Sequence, residues 1–512
     1  MKRVVEYMRT GSAAVLALLL ASCAAPAERS HSGSFLITSA QVMDGTGAPG
    51  RFASVRVEGE RIAAVGELAP LSDEPVVDAR GLVLAPGFID THSHHDIELL
   101  EQRAALAAVS QGITTIIVGQ DGMQERPIAE LFASLERAPA AVNVATLAGH
   151  NTIRAAVLGE DARRAPTPAE IERMRALLRE AMAAGALGLS TGLEYDPGIY
   201  STKQEVIELA GEAARFGGRY VSHIRSEDRL IWEALEEIVE IGRIHRMPVH
   251  VSHMKLAMVD WWGQAQRFLA VLDRARAQGV EVSGDVYPYE HWQSSMTVLF
   301  PERDFSDREA AQFALRSLVL PEDLIVATFG ADPSVAGKTL AQIAAQQGAD
   351  PATTLLDLIA KAQAAKAPEQ VIARSMDPRD IAQLLAWSHT NVCTDGSLDD
   401  AHPRGAGAFT RVLREYVRER RVLTLEEAVR KMSGAAAAHM GIEDRGLIRE
   451  GAYADLVLLD PAAIADRATL AEPHALSVGV EKVWVNGRLV FAGGAATGIH
   501  SGRVVRRATA QR

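Results

Sequence analysis

Ala85-Pro86-Gly87-Phe88-Ile89-Asp90-Thr91-His92-Ser93-His94 follows the apolar run Leu82-Val83-Leu84 and reads as a buried strand that ends in two histidines. Side chains alternate faces along a strand, so His92 and His94 point the same way, close enough to grip one metal ion. Alone, such a pair describes two polar residues at a strand end equally well. Its weight comes from the strands downstream. Ile113 to Val118, Val142 to Leu147, Ala186 to Leu189, Tyr220 to His223, Val249 to His253, Val280 to Val286 and Asn391 to Thr394 also read as strands. Helices fill the gaps: Thr167-Pro168-Ala169-Glu170 is a capping box with proline in the first turn, and Ile171, Met174, Leu178 and Ala181 recur at helical spacing.

With the strand before His92 this makes eight, the number of an α/β fold of the TIM-like (β/α)8 barrel type. Alternation alone also fits a doubly wound sheet. The polar strand ends decide, because a closed barrel gathers its first, second, fifth, sixth and eighth strand ends around one axis. At those ends stand His92 and His94, Asp121 in Gly119-Gln120-Asp121-Gly122, His223, His253, and Asp395 in Cys393-Thr394-Asp395-Gly396. Each singly is most simply a satisfied core or loop residue. Gathered at one rim, they point to a metal.

Four imidazoles and two carboxylates suit zinc, one ion or two, with an open position for water. Such an ion lowers the pKa of its water from about 15.7 to about 7, giving a hydroxide that attacks a carbonyl near neutral pH. A carboxylate must then take the proton and return it to the leaving nitrogen, and Asp395 on the last strand is the expected acid and base.

Elsewhere the pattern is β at both chain ends. Val55, Val57, Ile62 and Ala64 alternate with polar residues, and Val483 to Val490 folds about Asn486-Gly487, a hairpin signal. Neither patch has enough strands to bury its own face, so residues 34–84 and 446–506 are expected to combine into one small β-sandwich domain beside the barrel of residues 85–445. Residues 294–350 break the rhythm between the seventh and eighth strands and are expected as a partly helical insertion over the active face.

The 512 residues, 48% of them hydrophobic, allow a large core, and the net charge of -12 offers no basic stripe for a nucleic acid. A small-molecule substrate is the default. Lys2 and Arg3 precede an apolar run from Ala13 to Leu20, too short for a stable bilayer span, and Leu20-Ala21-Ser22-Cys23 resembles the bacterial lipobox. Residues 1–23 are thus expected to be an export signal, Cys23 a lipidation site that is the chain's one membrane connection, and residues 24–33 a tether; an ordinary cleaved signal is the alternative. A periplasmic or cell-surface location follows. Cys393 would then be the one remaining thiol, so no internal disulfide is expected.

Taken together, APGFIDTHSHHD (85–96), QGITTIIVG (111–119), GLSTGLEYDPG (188–198), SHIRSE (222–227), SHMK (252–255), TDGS (394–397) and HPRGAGAF (402–409) resemble the D-aminoacylase (N-acyl-D-amino-acid deacylase) family of the amidohydrolase superfamily. The resemblance spans nearly the whole chain beyond the signal. It implies a distorted (β/α)8 barrel, a small β domain from both termini, zinc, and hydrolysis of N-acyl-D-amino acids. It also implies His92, His94, His223 and His253 as metal ligands and Asp395 as acid and base. One departure stands out. Well-known members resemble one another in a Gly-Asn-Cys-Gly sequence after the second strand, where this chain has Gly-Gln-Asp-Gly, and the fourth strand offers no bridging lysine. Asp121 is the evident bridging group, harder than a thiolate and more tolerant of manganese or cobalt; capping of a loop is its alternative role.

A free carboxylate on the substrate needs a cation or several donors. Lys255 and Arg225, each two residues beyond a strand-end histidine, are expected to supply it, with Tyr195 and Tyr287 adding hydroxyls and His150 stabilising the oxyanion or touching substrate. The same machinery on the same scaffold would serve a dipeptidase or a cyclic-amide hydrolase. A binding lipoprotein that has lost its chemistry is a third reading, against which the intact histidine and aspartate set speaks.

Overall fold

Eight short parallel strands form the centre of the computed structural model, which describes residues 33–508. Cys23, the export signal and all of the tether but Gly33 lie outside the described residues. The strands are β1 (Phe88–Asp90), β2 (Ile113–Val118), β3 (Asn143–Thr146, resumed at Ala148–Gly149), β4 (Gly188–Gly192), β5 (Arg219–His223), β6 (Val249–Val251), β7 (Val282–Val286) and β8 (Thr390–Val392). They pair in chain order. The ring closes just beyond β1 and β8, where the Asp395 N–H donates to the His92 carbonyl at 2.8 Å and the His94 N–H donates to the Gly396 carbonyl at 2.9 Å. Barrel closure and the site are therefore the same few residues.

Every residue of β2 is buried, the apolar run that a strand covered on both faces requires. The helix Pro168–Ala184 begins at its capping box, with Thr167 Oγ1 accepting from the Glu170 N–H and the Glu170 carboxylate accepting from the Thr167 N–H. Its inner face is Ile171, Met174, Leu178 and Met182. Met182, one turn beyond Leu178, is buried in place of the expected Ala181, which is only half-buried.

The small β domain is one continuous nine-stranded sheet. Phe35–Val42, Arg51–Glu58, Arg61–Gly66, Val76–Asp78 and Val83–Pro86 come from one chain end; Leu456–Leu459, Val480–Val485, Arg488–Ala492 and Ala495–Ala496 come from the other. Val83–Pro86 is the seam, parallel to Phe35–Val42 and antiparallel to Leu456–Leu459. It runs through Gly87 straight into β1, so the sheet anchors the strand that carries His92 and His94.

Between β7 and β8 the insertion runs from His291 to Arg374, further than residues 294–350. Glu369–Arg374 pairs antiparallel with both His291–Ser294 and Leu324–Phe329. Coming after the helix Pro351–Ala365, this strand continues the strand-helix rhythm and so hides the true boundary in the sequence. The insertion has its own core around Phe300, Leu315, Phe329, Leu340 and Leu355.

Candidate metal centre and substrate cavity

β1 stops at Asp90 because the Asp90 carboxylate turns back onto the barrel, accepting from the Thr394 hydroxyl at 2.5 Å and the Thr394 N–H at 3.0 Å. The chain beyond it carries His92 and His94 over the barrel mouth. Asp121, His253 and Asp395 all take left-handed backbone, with φ of 54°, 32° and 50°. Each costs roughly 1–3 kcal/mol, and such strain gathers where a side chain must be aimed. Gly192 lets the bend at Asp121 pack closely, since a Cβ on it would lie 2.2 Å from the Asp121 carbonyl oxygen.

The donors fall into three adjoining groups: a first of His92, His94, Asp121 and Asp395, a second of Asp121, His223 and His253, and a third of Glu194, His223 and Glu227. Asp121 belongs to the first two. Its Oδ1 lies 3.4 Å from His92 Nε2 and 3.4 Å from His253 Nε2, and its Oδ2 lies 3.5 Å from His94 Nε2. Asp395 Oδ1 is 3.4 Å from His92 Nε2 and 3.3 Å from His94 Nε2. His92 is fully buried, yet neither ring nitrogen has a hydrogen-bond partner, and Asp121 Oδ1 is likewise buried and unpaired. Buried polar atoms are normally satisfied. Orphaned imidazole nitrogens facing carboxylate oxygens fit a divalent cation.

Outer carboxylates orient the ligands. His223 Nε2 is 2.9 Å from Glu194 Oε2, which leaves Nδ1 toward the cradle, 3.2 Å from His253 Nε2. His253 Nδ1 is 3.0 Å from Glu227 Oε1. Hydrogen bonds of this kind fix ring orientation and raise ligand basicity. Burial pushes the Asp121 carboxyl up, but His92 and His253 more than offset it and hold it well below the usual carboxylate range. Burial acts on Asp395 in the same way and is overcome by Arg404 and the histidines. Both groups are anions at neutral pH.

The centre opens into a cavity of about 60 Å³ lined by Tyr195, Lys255, Tyr287, Arg404 and the insertion. Arg404 Nη1 donates to Asp395 Oδ2 at 2.5 Å, and Lys255 Nζ donates to both oxygens of Glu227 at 2.7 and 2.8 Å. Both cations flank one ring: Arg404 Cζ lies 5.1 Å and Lys255 Nζ 5.7 Å from the Tyr287 centroid. The Tyr287 hydroxyl is buried and unpaired, and burial keeps it protonated by pushing its pKa up. The Tyr287 hydroxyl is thus a free donor beside two cations on the cavity wall.

The amidohydrolase family model matches residues 75–374 and 328–491. The chain belongs to the amidohydrolase family. D-aminoacylase from Alcaligenes xylosoxydans xylosoxydans is 37% identical over 500 residues, 93% of this chain and 98% of that protein. N-acyl-D-aspartate deacylase from the same organism is 39% identical over 486 residues, 90% of this chain and 92% of that protein. The crystal structure of N-acyl-D-glutamate deacylase from Bordetella bronchiseptica, complexed with zinc and a phosphonate mimic of the tetrahedral intermediate, superposes with a TM-score of 0.83 at 38% identity, covering 92% of this chain and 99% of that one.

Of the residues singled out in the sequence of this amidohydrolase, the structure gathers His92, His94, Asp121, His223, His253 and Asp395 into one cradle, and places Tyr195, Lys255 and Tyr287 on the cavity beside it. Tyr195 packs against His223 with its ring tilted by 46°, ring centroids 4.4 Å apart. Two expectations are corrected. His150 is buried against Glu205 at 2.9 Å, where Arg154 joins it, and that network braces the helices behind the barrel. Arg225 spends its guanidinium on Glu237 and the Ser201 carbonyl, outside the cavity. Three residues that sequence patterning does not single out belong to this amidohydrolase's site: Glu194, Glu227 and Arg404. Each lies inside a stretch that resembles the family, GLSTGLEYDPG, SHIRSE or HPRGAGAF, and that position was the available signal.

Proposed function

We propose that the chain is a metal-dependent deacylase that hydrolyses the amide of N-acyl-D-amino acids to a carboxylate and a free D-amino acid. The observation that carries this reading is that clustered metal donors, among them His223, His253 and Asp395, share one cavity with Lys255, Arg404 and Tyr287. The names of the relatives supply the D configuration and the acyl-amide class. Zinc suits the imidazole-rich donor set, and the two carboxylates also suit manganese or cobalt. A divalent ion held by these residues supplies Lewis acidity and water activation at neutral pH.

The side chains do the rest. Asp395 has one oxygen fixed by Arg404 and the other toward His92 and His94, so it stands where it can take the proton of the attacking water and pass it to the leaving nitrogen. Arg404, Lys255 and the Tyr287 hydroxyl hold the substrate's free carboxylate and so set the amide against the cradle. A cyclic amide has no such carboxylate to offer, which favours acyl amino acids over that alternative. The test is hydrolysis by the zinc-supplied protein of paired N-acetyl-D- and N-acetyl-L-amino acids. Release of the D-amino acid alone is expected; turnover of the L series alone, or of neither, would overturn the reading.

Export and lipidation at Cys23 are proposed on the lipobox-like Leu20-Ala21-Ser22-Cys23 sequence alone. Labelled palmitate should enter the wild-type chain in a bacterial host and vanish in Cys23→Ser; label that persists would exclude Cys23 as the site.

A further inference from the structure

Beneath the cradle lies a carboxylate that the chemistry does not use. Asp285, on β7, is fully buried, belongs to none of the three donor groups among the described residues, and does not line the cavity. A buried charge persists only where it is paired and hydrogen-bonded, and both oxygens of Asp285 are committed. Oδ1 accepts from the His253 N–H at 2.5 Å; Oδ2 accepts from the Thr91 hydroxyl at 2.8 Å and from His250 Nε2 at 2.9 Å. His250 is itself buried on β6, with Nδ1 2.8 Å from Ser283 Oγ. The carboxylate therefore ties β7 to the end of β6 and to the residue before His92.

His253 is where the chain bends away from β6 in left-handed backbone, with φ of 32°. Such a conformation persists where its surroundings over-determine it, and here three consecutive amides do so. The Ser252 N–H donates to the Ser222 carbonyl at 2.9 Å, the His253 N–H to the Asp285 carboxylate, and the Met254 N–H to the Asp285 carbonyl at 2.7 Å. Two of the three acceptors belong to Asp285, one on its side chain and one on its main chain. Gly284 permits the contact, since a Cβ there would lie 2.6 Å from Met254 Sδ. The His253 ring is aimed separately, by Glu227 Oε1 at 3.0 Å from Nδ1. That aim is lost if the backbone carrying the ring can rotate. His92 depends less on Asp285: its N–H faces Asp90 Oδ1 at 3.3 Å and its carbonyl accepts from the Asp395 N–H.

The structure assigns Asp285 as a positioning residue: its carboxylate, steadied by His250 and Thr91, holds the bend at His253 in place independently of any ion and so sets the metal affinity of the position formed by Asp121, His223 and His253. The inference rests on the metal-dependent part of the reading above and is independent of which amide is cleaved. Loss of an outer hydrogen-bond partner typically costs about 10–100-fold in metal affinity. The loss should be unequal here, because Asp90 and Asp395 brace His92 on the other side of the cradle.

The experiment is chelator competition for zinc with the full chain. In Asp285→Ala one bound zinc should weaken by about 10–100-fold while the other changes by less than about threefold. Asp285→Asn keeps a carbonyl oxygen for the His253 N–H and should restore the weakened ion to within about threefold of wild type. Equal weakening of both ions, as a loosened fold would give, overturns the inference alone, as does an unchanged affinity or an Asp285→Asn chain as weak as Asp285→Ala. A wild-type chain that holds no zinc overturns the metal-dependent reading together with the inference. Hydrogen exchange of the metal-free wild-type chain, read by mass spectrometry, needs no variant: the amides of His253 and Met254 should exchange as slowly as those of β6. Free exchange at these two amides overturns the inference even where Asp285→Ala fails to fold.

Discussion

Removing the Asp121 carboxylate should cost this chain one of its two metal positions. The first donor group holds His92, His94, Asp121 and Asp395, and the second holds Asp121, His223 and His253. In Asp121→Ala the first keeps three protein donors, the usual complement of a catalytic zinc site, whereas the second falls to two. Loss of a partner that merely orients a ligand typically costs 10–100-fold in affinity, and Asp121 offers oxygens directly to both positions. The second position should therefore weaken by at least about 100-fold, or about 2.8 kcal/mol, and drop out on dialysis. Zinc content by mass spectrometry after dialysis, with chelator competition for the remainder, should fall from about two ions per chain to about one. Asp121→Cys controls for folding: the thiolate is softer and should keep both ions. Two ions per chain, held by Asp121→Ala as tightly as by wild type, would reduce Asp121 to a loop anchor and refute the bridging argument.

Other perturbations probe the surroundings. Arg404→Met should reduce the preference for an N-acyl-D-amino acid over its carboxylate-free methylamide by about tenfold or more, since it removes a charge-assisted bond available only to the carboxylate. A ratio of kcat/KM values unchanged from wild type would remove Arg404 from the receptor. Glu205→Ala should destabilise the fold by about 3–5 kcal/mol in urea unfolding, because it leaves the fully buried Arg154 and His150 without their shared partner; a loss below about 1 kcal/mol would show that the network is not structural. Burial, then the nearby cations, hold the His439 pKa down at about 3, well below its ordinary value, so between pH 6.5 and 3 the unfolded chain carries a proton that the folded chain does not. Stability must then decline as pH falls through that window, by up to about 1.4 kcal/mol per unit for this group. His439→Gln, which can still donate to Asn391, should lose about 2–3 kcal/mol less than wild type between pH 6.5 and 4.5, and parallel losses would show that His439 does not carry the effect.

The ligand set was legible in the sequence because strand ends of a barrel converge whatever the intervening chain does, so a polar residue at such an end is placed by topology alone. Side-chain parity proved less durable. Lys255 and Arg225 both sit two residues past a histidine, yet Lys255 reaches the cavity and Arg225 turns to Glu237 on the outer helix Ile231–His245. Alternation of faces is a property of extended chain, and β5 ends at His223, so it cannot be carried to residue 225. Arg404 was illegible for a related reason. It stands at the start of the helix Arg404–Arg411, nine residues beyond Asp395, and no periodicity links a helix start to a strand end. The boundary of the insertion was hidden by the strand Glu369–Arg374, whose place after a helix imitates the barrel rhythm.

Two Asp-Gly pairs show how local and functional readings of one residue coincide. Asp121-Gly122 and Asp395-Gly396 are ordinary turn signals, since aspartate tolerates left-handed backbone and glycine accepts tight packing. The structure gives both aspartates left-handed backbone, with φ of 54° at Asp121 and 50° at Asp395. The same backbone bend that ends each strand tips its carboxylate inward to the barrel axis, so the ligand is aimed by the turn and not in spite of it. Gly396 adds a further consequence. Its missing side chain lets Gly405 approach, since a Cβ there would lie 2.6 Å from Gly405 Cα, and this contact sets the helix that carries Arg404 against the end of β8. The guanidinium thereby reaches Asp395 from the side away from the histidines. Asp395 and Arg404 are thus fixed together by one close approach of two glycines, and enlarging either glycine should disturb this ion pair and the proton transfer and substrate binding proposed for it at once.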